Sequence, residues 1–508
     1  MRLQIKLGTA ILATVLLGAG AAPVAAQKSA DTLRISMRDA LPNVDPYYNN
    51  LRTGVVMHHQ GWDTLVYRNP DTFKIEPLLA TEWKRPDPTT IEFTLRPGVK
   101  FHDGSPLTAD DVVYTLTVAA DPASKVSTPA NYNWIDKAEK TSEFSVRVKL
   151  KRPTPAALEY FALVIPIYPK AYREKVGAEG YAKAPVGAGP YKMTKVEPGV
   201  SIDFERFEDY WAGSPKKATI KKLSVRFVPD ATTELTELLA QRADWIWNMN
   251  PDQLENVNKI PTLTAVRKES MRVGYLSLDA AGRTGADNPI TKLKVRQAIW
   301  HAIDRKAIAD KLVTGGSRVP AAPCFPPQFG CDAEAGAVYD YDPAKAKQLL
   351  TEAGYPNGFD LELTSYVLPQ WGAAVQNYLQ AVGIRAKLNQ LQVAALIQRA
   401  KAGELRAYLG SWGSYSINDV SAIMPNFFDG GADDYARDPD VIKWLAEGGS
   451  SNDAEARKKA YSSAIHRITE QAYWAPLHTY VTTYGFSKTL DFTPYADELP
   501  RFYLAKWK

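Results

Sequence analysis

Apolar and polar residues alternate along this chain with two different periods. Residues 91–95 and 144–150 carry apolar side chains at every second position, which predicts β-strands with one buried face. Thr108 precedes a segment whose apolar residues recur with helical spacing. Asp111 follows Thr108 at the spacing of an N-terminal capping box, so we expect a helix to begin here.

The second half of the chain predicts more helix. Asp342 supplies an N-cap, Pro343 stands at the first helical position, and Gly354 ends the segment. Further helices are predicted from about residue 291 to about 304, and from 453 past 465. Strand and helix signals are mixed throughout and no repeat occurs, which indicates an α/β fold.

The N-terminus has the pattern of a secretory signal. Arg2 and Lys6 precede an apolar run over residues 7–22, and small residues follow at 23–26. This pattern predicts a signal peptide over 1–26 that is cleaved on export. The alternative is a membrane anchor, but glycine and threonine interrupt the run and polar residues follow it at once. We therefore expect an exported protein whose mature form is soluble.

The net charge limits the expected kinds of partner, and the two cysteines predict a disulfide. The chain of 508 residues has a formal net charge of +5, and removal of the signal lowers it by two, which does not indicate a nucleic-acid partner. Cys324 and Cys331 are the two cysteines. An oxidising compartment favours a disulfide between them, whereas a redox or metal pair would need Cys-x-x-Cys spacing or a nearby histidine.

Catalytic and cofactor motifs are missing from the sequence. It contains no Gly-x-Ser-x-Gly and no His-Glu-x-x-His, and its histidines lack metal-ligand spacing. Residues 187–190 read Gly-Ala-Gly-Pro and predict a turn, since the proline removes an amide that a phosphate loop would use. His102 lies among turn residues, and we expect a structural role for it. We expect neither an enzyme nor a cofactor.

Several segments share a family signature. Residues 91–112 read IEFTLRPGVKFHDGSPLTADDV, residues 185–191 read PVGAGPY, and residues 341–355 read YDPAKAKQLLTEAGY. The chain resembles the dipeptide-, oligopeptide- and nickel-binding substrate-binding proteins of ABC transporters, solute-binding protein family 5. The resemblance implies a periplasmic component of an ABC importer that captures a peptide or peptide-like ligand between two closing lobes. It also implies permease subunits of the inner membrane as partners, and we expect a monomer.

The resemblance also implies a fold and its domain limits. The fold is the two-lobed α/β periplasmic binding protein fold, type II, cluster C, with an extra subdomain inserted in the first lobe. We expect the chain to cross the hinge near 281–288 and near 480–484. The expected limits are 27–72, 196–285 and 481–508 for lobe I, 73–195 for the inserted subdomain and 286–480 for lobe II.

The resemblance places a ligand cleft at residues 409–419, LGSWGSYSIND. Peptide-binding members often have a tryptophan here followed three residues later by an aspartate that binds the peptide amine. In this chain the tryptophan is Trp412 and the following position is Tyr415, which is neutral at pH 7. Asp419 is the alternative carboxylate, although Asn418-Asp419 fits a turn or a helix N-cap equally well. A non-peptide solute, such as an opine, an oligosaccharide or a metal chelate, therefore stays open.

Other candidates come from both lobes. Residues 365–371 form a second recognition segment, where some family members carry an arginine and this chain does not. Arg52 is a candidate for an anionic ligand group, with a surface position as its alternative. The full candidate set is Trp412, Ser414, Tyr415, Ser416, Asn418, Asp419, Tyr366, Gln370, Trp371, Arg52, Asn50 and Trp247.

Overall fold

A computed structural model describes residues 31–49 and 51–508. The predicted signal peptide and Asn50 lie outside these residues. The strands are, in chain order, β1 (Thr32–Met37), β2 (Val66–Arg68), β3 (Ile75–Pro77), β4 (Ala80–Asp87), β5 (Thr90–Leu95), β6 (Ile135–Ser142), β7 (Ser145–Leu150), β8 (Tyr191–Glu197), β9 (Ser201–Arg206), β10 (Lys222–Phe227), β11 (Trp245–Trp247), β12 (Leu263–Leu278), β13 (Asp360–Ser365), β14 (Arg385–Gln390), β15 (Ala407–Trp412), β16 (Trp474–Ser487), β17 (Leu490–Asp491) and β18 (Lys506–Trp507).

The helices are concentrated in the second half of the chain, as the sequence predicts. They are α1 (Arg52–Gly61), α2 (Ala109–Ala120), α3 (Ala157–Leu163), α4 (Lys170–Lys183), α5 (Ala231–Leu239), α6 (Leu254–Asn258), α7 (Leu293–Ala302), α8 (Arg305–Ala307), α9 (Pro343–Glu352), α10 (Pro369–Ala381), α11 (Val393–Ala402), α12 (Met424–Phe428), α13 (Pro439–Ser450) and α14 (Ala454–Glu470).

Local capping explains where several helices begin. The amide of Thr108 donates to Asp111 Oδ2 at 2.9 Å, so the predicted capping box starts α2. Asp342 accepts a hydrogen bond from the amide of Lys345 at 2.8 Å and starts α9 at the predicted position. Asp453 caps α14 in the same way. These starts are confirmed because each signal is contained within four consecutive residues.

One large mixed sheet connects the two lobes. Its order among the described strands is β14-β13-β15-β12-β16-β11-β1-β10-β9-β8. The parallel pairs β1–β10 and β13–β14 lie near opposite ends, with helices between paired strands in the chain. A separate four-stranded antiparallel sheet, β4-β5-β7-β6, lies within the range predicted for the inserted subdomain. The α/β fold with two lobes is therefore confirmed, whereas the residue limits of the lobes stay predictions.

Strands β12 and β16 run side by side through the middle of the sheet. The N-terminal half of β12 pairs with the C-terminal half of β16, and the C-terminal half of β12 also pairs with β15 of the second lobe. The register shifts between Ser270 and Val273, which is a β-bulge. The change of partner thus lies before the predicted crossing at 281–288, while the crossing predicted at 480–484 lies within β16.

A turn in the first lobe depends on close backbone approach. A Cβ atom at Gly187 would lie 2.1 Å from the carbonyl oxygen of Gly61, so only glycine fits. His102 joins this turn, because its Nδ1 accepts from the amide of Gly187 at 3.2 Å and its Nε2 lies 3.0 Å from the carbonyl oxygen of Gly189. Burial lowers the pKa of His102 to about 4. His102 is therefore a neutral structural residue.

The disulfide lies within the range predicted for the second lobe. Cys324 and Cys331 are joined with an Sγ–Sγ distance of 2.05 Å, and Cys324 is buried in an apolar cluster with Phe325 and Tyr461. Phe329 lies in the loop that the disulfide closes and forms a β-bridge with Asp419, so this loop contacts the segment that follows Trp412. Among residues 31–49 and 51–508, no helix is long and apolar enough to cross a membrane.

Candidate ligand-binding site

A cavity of about 200 Å³ lies between the lobes. Its walls come from α1 and the residues before it, from the range predicted for the inserted subdomain, from β12 and from the end of β15. Its lining residues are Pro46, Asn49, Arg52, Val55, His58, Thr128, Asn131, Tyr132, Val164, Arg272, Trp412, Gly413 and Tyr415. This set contains Arg52, Trp412 and Tyr415 of the predicted candidates and no carboxylate.

One face of helix α1 forms the first-lobe wall. Arg52, Val55 and His58 follow one another at intervals of three residues, which places them on the same side of the helix. His58 Nε2 lies 3.0 Å from the carbonyl oxygen of Leu163, and burial lowers its pKa to about 4, so the ring is neutral. Its Nδ1 is buried and has no hydrogen-bond partner in the described part of the chain.

The bulge in β12 supplies the second arginine. Arg272 lies between Ser270 and Val273, where the pairing with β16 is interrupted, and its side chain lines the cavity. Bulges near binding sites commonly redirect a side chain away from the regular alternation of a strand. The irregularity therefore brings a cation to the cavity directly before the buried stretch from Val273 to Leu278.

Arg52 and Arg272 share one carboxylate. The distance from Arg52 Nη2 to Glu498 Oε2 is 3.4 Å, and that from Arg272 Nη2 to the same oxygen is 3.3 Å. Burial lowers the pKa of Arg52. Burial alone would raise the pKa of Glu498, but Arg272 and Arg52 hold it below its usual range. All three groups are therefore charged near pH 7, with two cations for one anion.

Trp412 and Tyr415 form an aromatic pair that lines the same cavity as the two arginines. Trp412 Nε1 donates to the carbonyl oxygen of Ala422 at 2.8 Å, and its ring meets the Tyr415 ring edge-on with centroids 4.9 Å apart. Tyr415 is 39% exposed, and partial burial raises the pKa of its hydroxyl, so it is neutral. Gly413 lies between them, and a Cβ there would come within 3.1 Å of Arg272 Nη2.

Residues 413–418, which we call the interlobe segment, bridge the lobes. The Ser416 hydroxyl donates to the carbonyl oxygen of Asp497 at 2.6 Å and accepts from Arg52, while the Ser416 carbonyl accepts from Arg68. The amide of Asn418 donates to Glu159 Oε2 at 3.0 Å. Because Arg52, Arg68, Asp497 and Glu159 all lie outside the range predicted for the second lobe, these bonds join that range to the rest of the chain.

The backbone of the interlobe segment is strained. Ser414, Tyr415 and Ser416 have φ values of 51°, 49° and 66°, although none is glycine. Left-handed conformations of such residues persist where surrounding contacts over-determine them, and they cluster at ligand sites and switches. The Ser414 hydroxyl is buried without a partner among the described residues, so the bonds of Ser416 hold this turn.

The sequence allows two roles for Asp419, an amine-binding carboxylate or a capping residue, and in the structure it has the second role. Its carboxylate accepts hydrogen bonds from Arg457 Nη2 at 2.7 and 2.9 Å and from the amide of Ser421 at 3.0 Å. It is 4% exposed and is absent from the cavity lining. The ion pair with Arg457 occupies the group that would otherwise bind a ligand amine.

Four other candidates lie away from the cavity lining. The Tyr366 hydroxyl exchanges hydrogen bonds with the backbone of Ser411 at 2.7 and 2.8 Å, behind β15. Trp371 is buried against the rings of His478 and Tyr480. Gln370 is exposed in the first turn of α10. Trp247 is buried in β11 beside Trp245.

Sequence reasoning missed part of the lining. Thr128, Asn131 and Tyr132 come from an irregular stretch of the inserted subdomain, where no pattern marked them. Arg272 did carry a signal, since it is a charged residue inside the mostly apolar run from Met271 to Leu278. A cation in a buried strand needs a partner or a function.

Comparison with known protein families shows to which family this chain belongs. The family model "Bacterial extracellular solute-binding proteins, family 5 Middle" matches residues 74–434. The chain belongs to this family of solute-binding proteins. Its two-lobed fold and interlobe cavity are those expected for a protein that encloses a solute.

Individual relatives are similar along most of their length. Heme-binding protein A of Haemophilus influenzae is 27% identical over 455 residues, covering 82% of this chain and 81% of the relative. Glutathione-binding protein GsiB of Pectobacterium atrosepticum is 28% identical over 480 residues and covers 90% of both chains. Among solved structures, AgaA of A. tumefaciens R10 in complex with agropinic acid is 26% identical with a TM-score of 0.76, covering 94% of this chain and 99% of that one.

Proposed function

We propose that the protein is the periplasmic solute-binding component of an ABC importer and that its solute binds in the cavity lined by Arg52, Arg272 and Trp412. The observation that carries this proposal is the origin of the walls, because α1 belongs to the first lobe while Trp412, Gly413 and Tyr415 come from the second. A solute in the cavity contacts both lobes at once. Family membership and the two-lobed fold support the same function.

Binding is coupled to closure by differential affinity. A solute that touches both walls interacts more strongly with the closed arrangement than with an open one, so it shifts the equilibrium toward closure. The bonds of Ser416 and Asn418 to the first lobe and the inserted subdomain are available only when the lobes meet. The closed form then presents both lobes to the permease subunits, and the protein acts as a monomer.

The residues that line the cavity limit the chemical classes of solute that can bind there. A dipeptide with a free amine requires a carboxylate or several acceptors around its ammonium group. The lining set offers two guanidiniums and a neutral tyrosine at position 415 instead. A peptide-like or non-peptide solute without a cationic end therefore fits better than an ordinary dipeptide.

Thermal denaturation of the mature chain with candidate solutes tests the proposal. Peptides, opines, oligosaccharides and nickel chelates form the panel, and a bound solute raises the Tm. Trp412→Ala removes the aromatic wall and is expected to weaken binding by tenfold or more, since aromatic contacts dominate small-molecule sites. Trp83→Ala makes the same change in the four-stranded sheet and should leave binding unchanged.

Two results would contradict the proposal. One is that Trp412→Ala binds the stabilising solute as tightly as the unmodified protein. The other is that Trp412→Ala fails to fold, which would assign Trp412 to the core. Circular dichroism of the free variant distinguishes the two.

A further inference from the structure

We infer that the solute carries a carboxylate and that this group binds between Arg52 and Arg272. The inference deepens the proposed function and rests on it, because it names the chemical class of the ligand for the same cavity. Three observations carry it: the charge balance around the cavity, the geometry of the two guanidiniums, and the absence of acidic side chains from the lining set.

The charge balance leaves a cationic excess at the cavity. Four arginines meet three carboxylates where the lobes join, and the members are Arg52, Arg68, Arg272, Arg501, Glu159, Asp497 and Glu498. Arg68 and Arg501 form bonds of 2.6 and 2.7 Å to Asp497, and Arg68 also reaches Glu159 at 2.9 Å. These groups are mutually neutralised, so the excess belongs to Arg52 and Arg272.

The two guanidiniums retain donors for a ligand. Each arginine has five N–H groups in a planar fork that matches a carboxylate. Among the described residues, their side-chain acceptors are Glu498, Ser411 and Ser416, and the contacts of Arg272 to Glu498 and Ser411 are long, at 3.3 to 3.5 Å. Charge-assisted bonds of full strength are shorter, at about 2.7 to 2.9 Å. An added carboxylate would supply the missing acceptors.

The position of Gly413 shows that the two guanidiniums converge. A Cβ atom on Gly413 would lie 3.1 Å from Arg272 Nη2 and 3.4 Å from Arg52 Nη2, so both groups approach one point of the second-lobe wall. Both also approach Glu498 Oε2. A single carboxylate placed in the cavity beside Gly413 can therefore reach both arginines.

The rest of the lining defines the body of the ligand. Tyr132, Trp412 and Val164 give apolar surface, while Asn131 and Thr128 give neutral hydrogen-bonding groups. The cavity volume of about 200 Å³ is below the roughly 300–1,000 Å³ of pockets for drug-sized ligands. The geometry points to a small organic acid with a neutral body.

The test uses matched pairs of small molecules. The mature protein is titrated calorimetrically with a panel of small carboxylic acids, each paired with its own primary amide, which keeps the shape and removes the charge. We expect binding by members of the acid series and a loss of affinity of about tenfold or more for each amide, because the amide loses the charge-assisted hydrogen bonds to the guanidiniums.

Variants assign the charge to the two arginines. Arg272→Gln and Arg52→Gln should each weaken binding of the acid by about tenfold or more while changing amide binding little. Arg272→Lys keeps the charge and should recover part of the affinity, even if Arg272→Gln folds poorly. Arg385→Gln removes an exposed arginine that pairs with Asp360 on the surface and serves as the control.

The outcomes separate this inference from the proposed function. If neutral or cationic compounds bind and acids do not, or if Arg272→Gln and Arg52→Gln bind acids unchanged, the inference is wrong while solute binding stands. If no compound of any class binds or stabilises the protein, the proposed function itself fails. Acid binding that the amides and both arginine variants lose supports both.

Discussion

Two neighbouring acidic residues pair with arginines in opposite ways. Asp497 is fully buried and accepts a bidentate pair of bonds from Arg501, at 2.7 and 3.0 Å, and another from Arg68 at 2.6 Å. Glu498 is the shared partner of Arg52 and Arg272 at 3.3 to 3.4 Å, beside the cavity. In the Asp497 group, with Arg68 and Arg501, the charges are paired within the group. In the Glu498 group, with Arg52 and Arg272, some guanidinium N–H groups are available to a ligand.

The comparison distinguishes an arginine–carboxylate group that stabilises the fold from one that is available to a ligand. Burial alone would raise the pKa of Asp497, but Arg501 and Arg68 lower it well below its usual range. Such an enclosed group stabilises the fold only while every member is present, because removal of one leaves buried charge unpaired. The loosely held arginines of the second group have less to lose from a substitution and more to gain from a bound anion.

The largest expected effect is that of Asp497→Asn. The substitution leaves Arg68 and Arg501 buried without their anion, and it should lower the free energy of unfolding by about 3–5 kcal/mol. Chemical denaturation followed by circular dichroism measures this change. Asp360→Asn removes a carboxylate from an exposed pair with Arg385 and should leave the denaturation midpoint unchanged. Equal effects of the two substitutions would show that the buried Asp497 group contributes no more to stability than an exposed pair.

The effect of Asp497→Asn should depend on pH with a defined sign. Because the pKa of Asp497 is lower in the folded protein than its ordinary value of about 3.9, its contribution is fully present above that value and is lost as the pH falls toward the folded pKa. The difference in stability between the two proteins should be constant from about pH 5 to 8 and shrink below about pH 4. A difference that instead grows below pH 4 would contradict the pairing.

A smaller effect is expected from Glu498→Gln. Loss of this carboxylate leaves Arg52 and Arg272 without their anion, but the cavity admits other anions, so the cost should be about 1–3 kcal/mol. A carboxylic acid that binds the unmodified protein should bind the variant more tightly and recover part of the lost Tm. Denaturation with and without the acid tests this. Weaker acid binding by the variant would show that Glu498 contributes to the ligand site in another way.

The smallest effect, of opposite sign, is expected from Ser414→Gly. The substitution relieves a left-handed conformation that costs about 1–2 kcal/mol in a residue with a Cβ, and it adds about 0.4–1 kcal/mol of unfolded-state entropy. The net result should be a gain in stability of up to about 1 kcal/mol, measured as a higher Tm. Ser414→Ala removes the unpartnered hydroxyl but keeps the Cβ. An equal gain in Ser414→Ala would assign the cost to the hydroxyl rather than to the backbone.

Much of the fold was predictable because its signals are local. The start of α9 depends on Asp342 and Pro343, which stand side by side, and the position of the cleft depends on the short run around Trp412. The change of partner in β12 was not predictable, since a bulge between Ser270 and Val273 follows from pairing with β15 and β16 rather than from its own sequence.

The site was predictable only in part, for the same physical reason. Arg52, Trp412 and Tyr415, which the sequence offers as candidates, line the cavity, and each stands in a recognisable segment. The partner of Asp419 is Arg457, which is 38 residues away, and that of Arg272 is Glu498, which is 226 residues away. Whether a charged residue is neutralised or available is decided by such distant partners, and a local pattern contains no information about them.

A crystal structure of the mature protein with the most strongly stabilising carboxylic acid would show directly whether Arg52 and Arg272 bind the acid group. We expect the acid between the lobes, with its carboxylate within hydrogen-bond distance of Arg52 and Arg272 and its body against Trp412. A ligand bound outside this cavity, or bound within it with its carboxylate away from both arginines, would show that the two arginines are not the acid-binding groups.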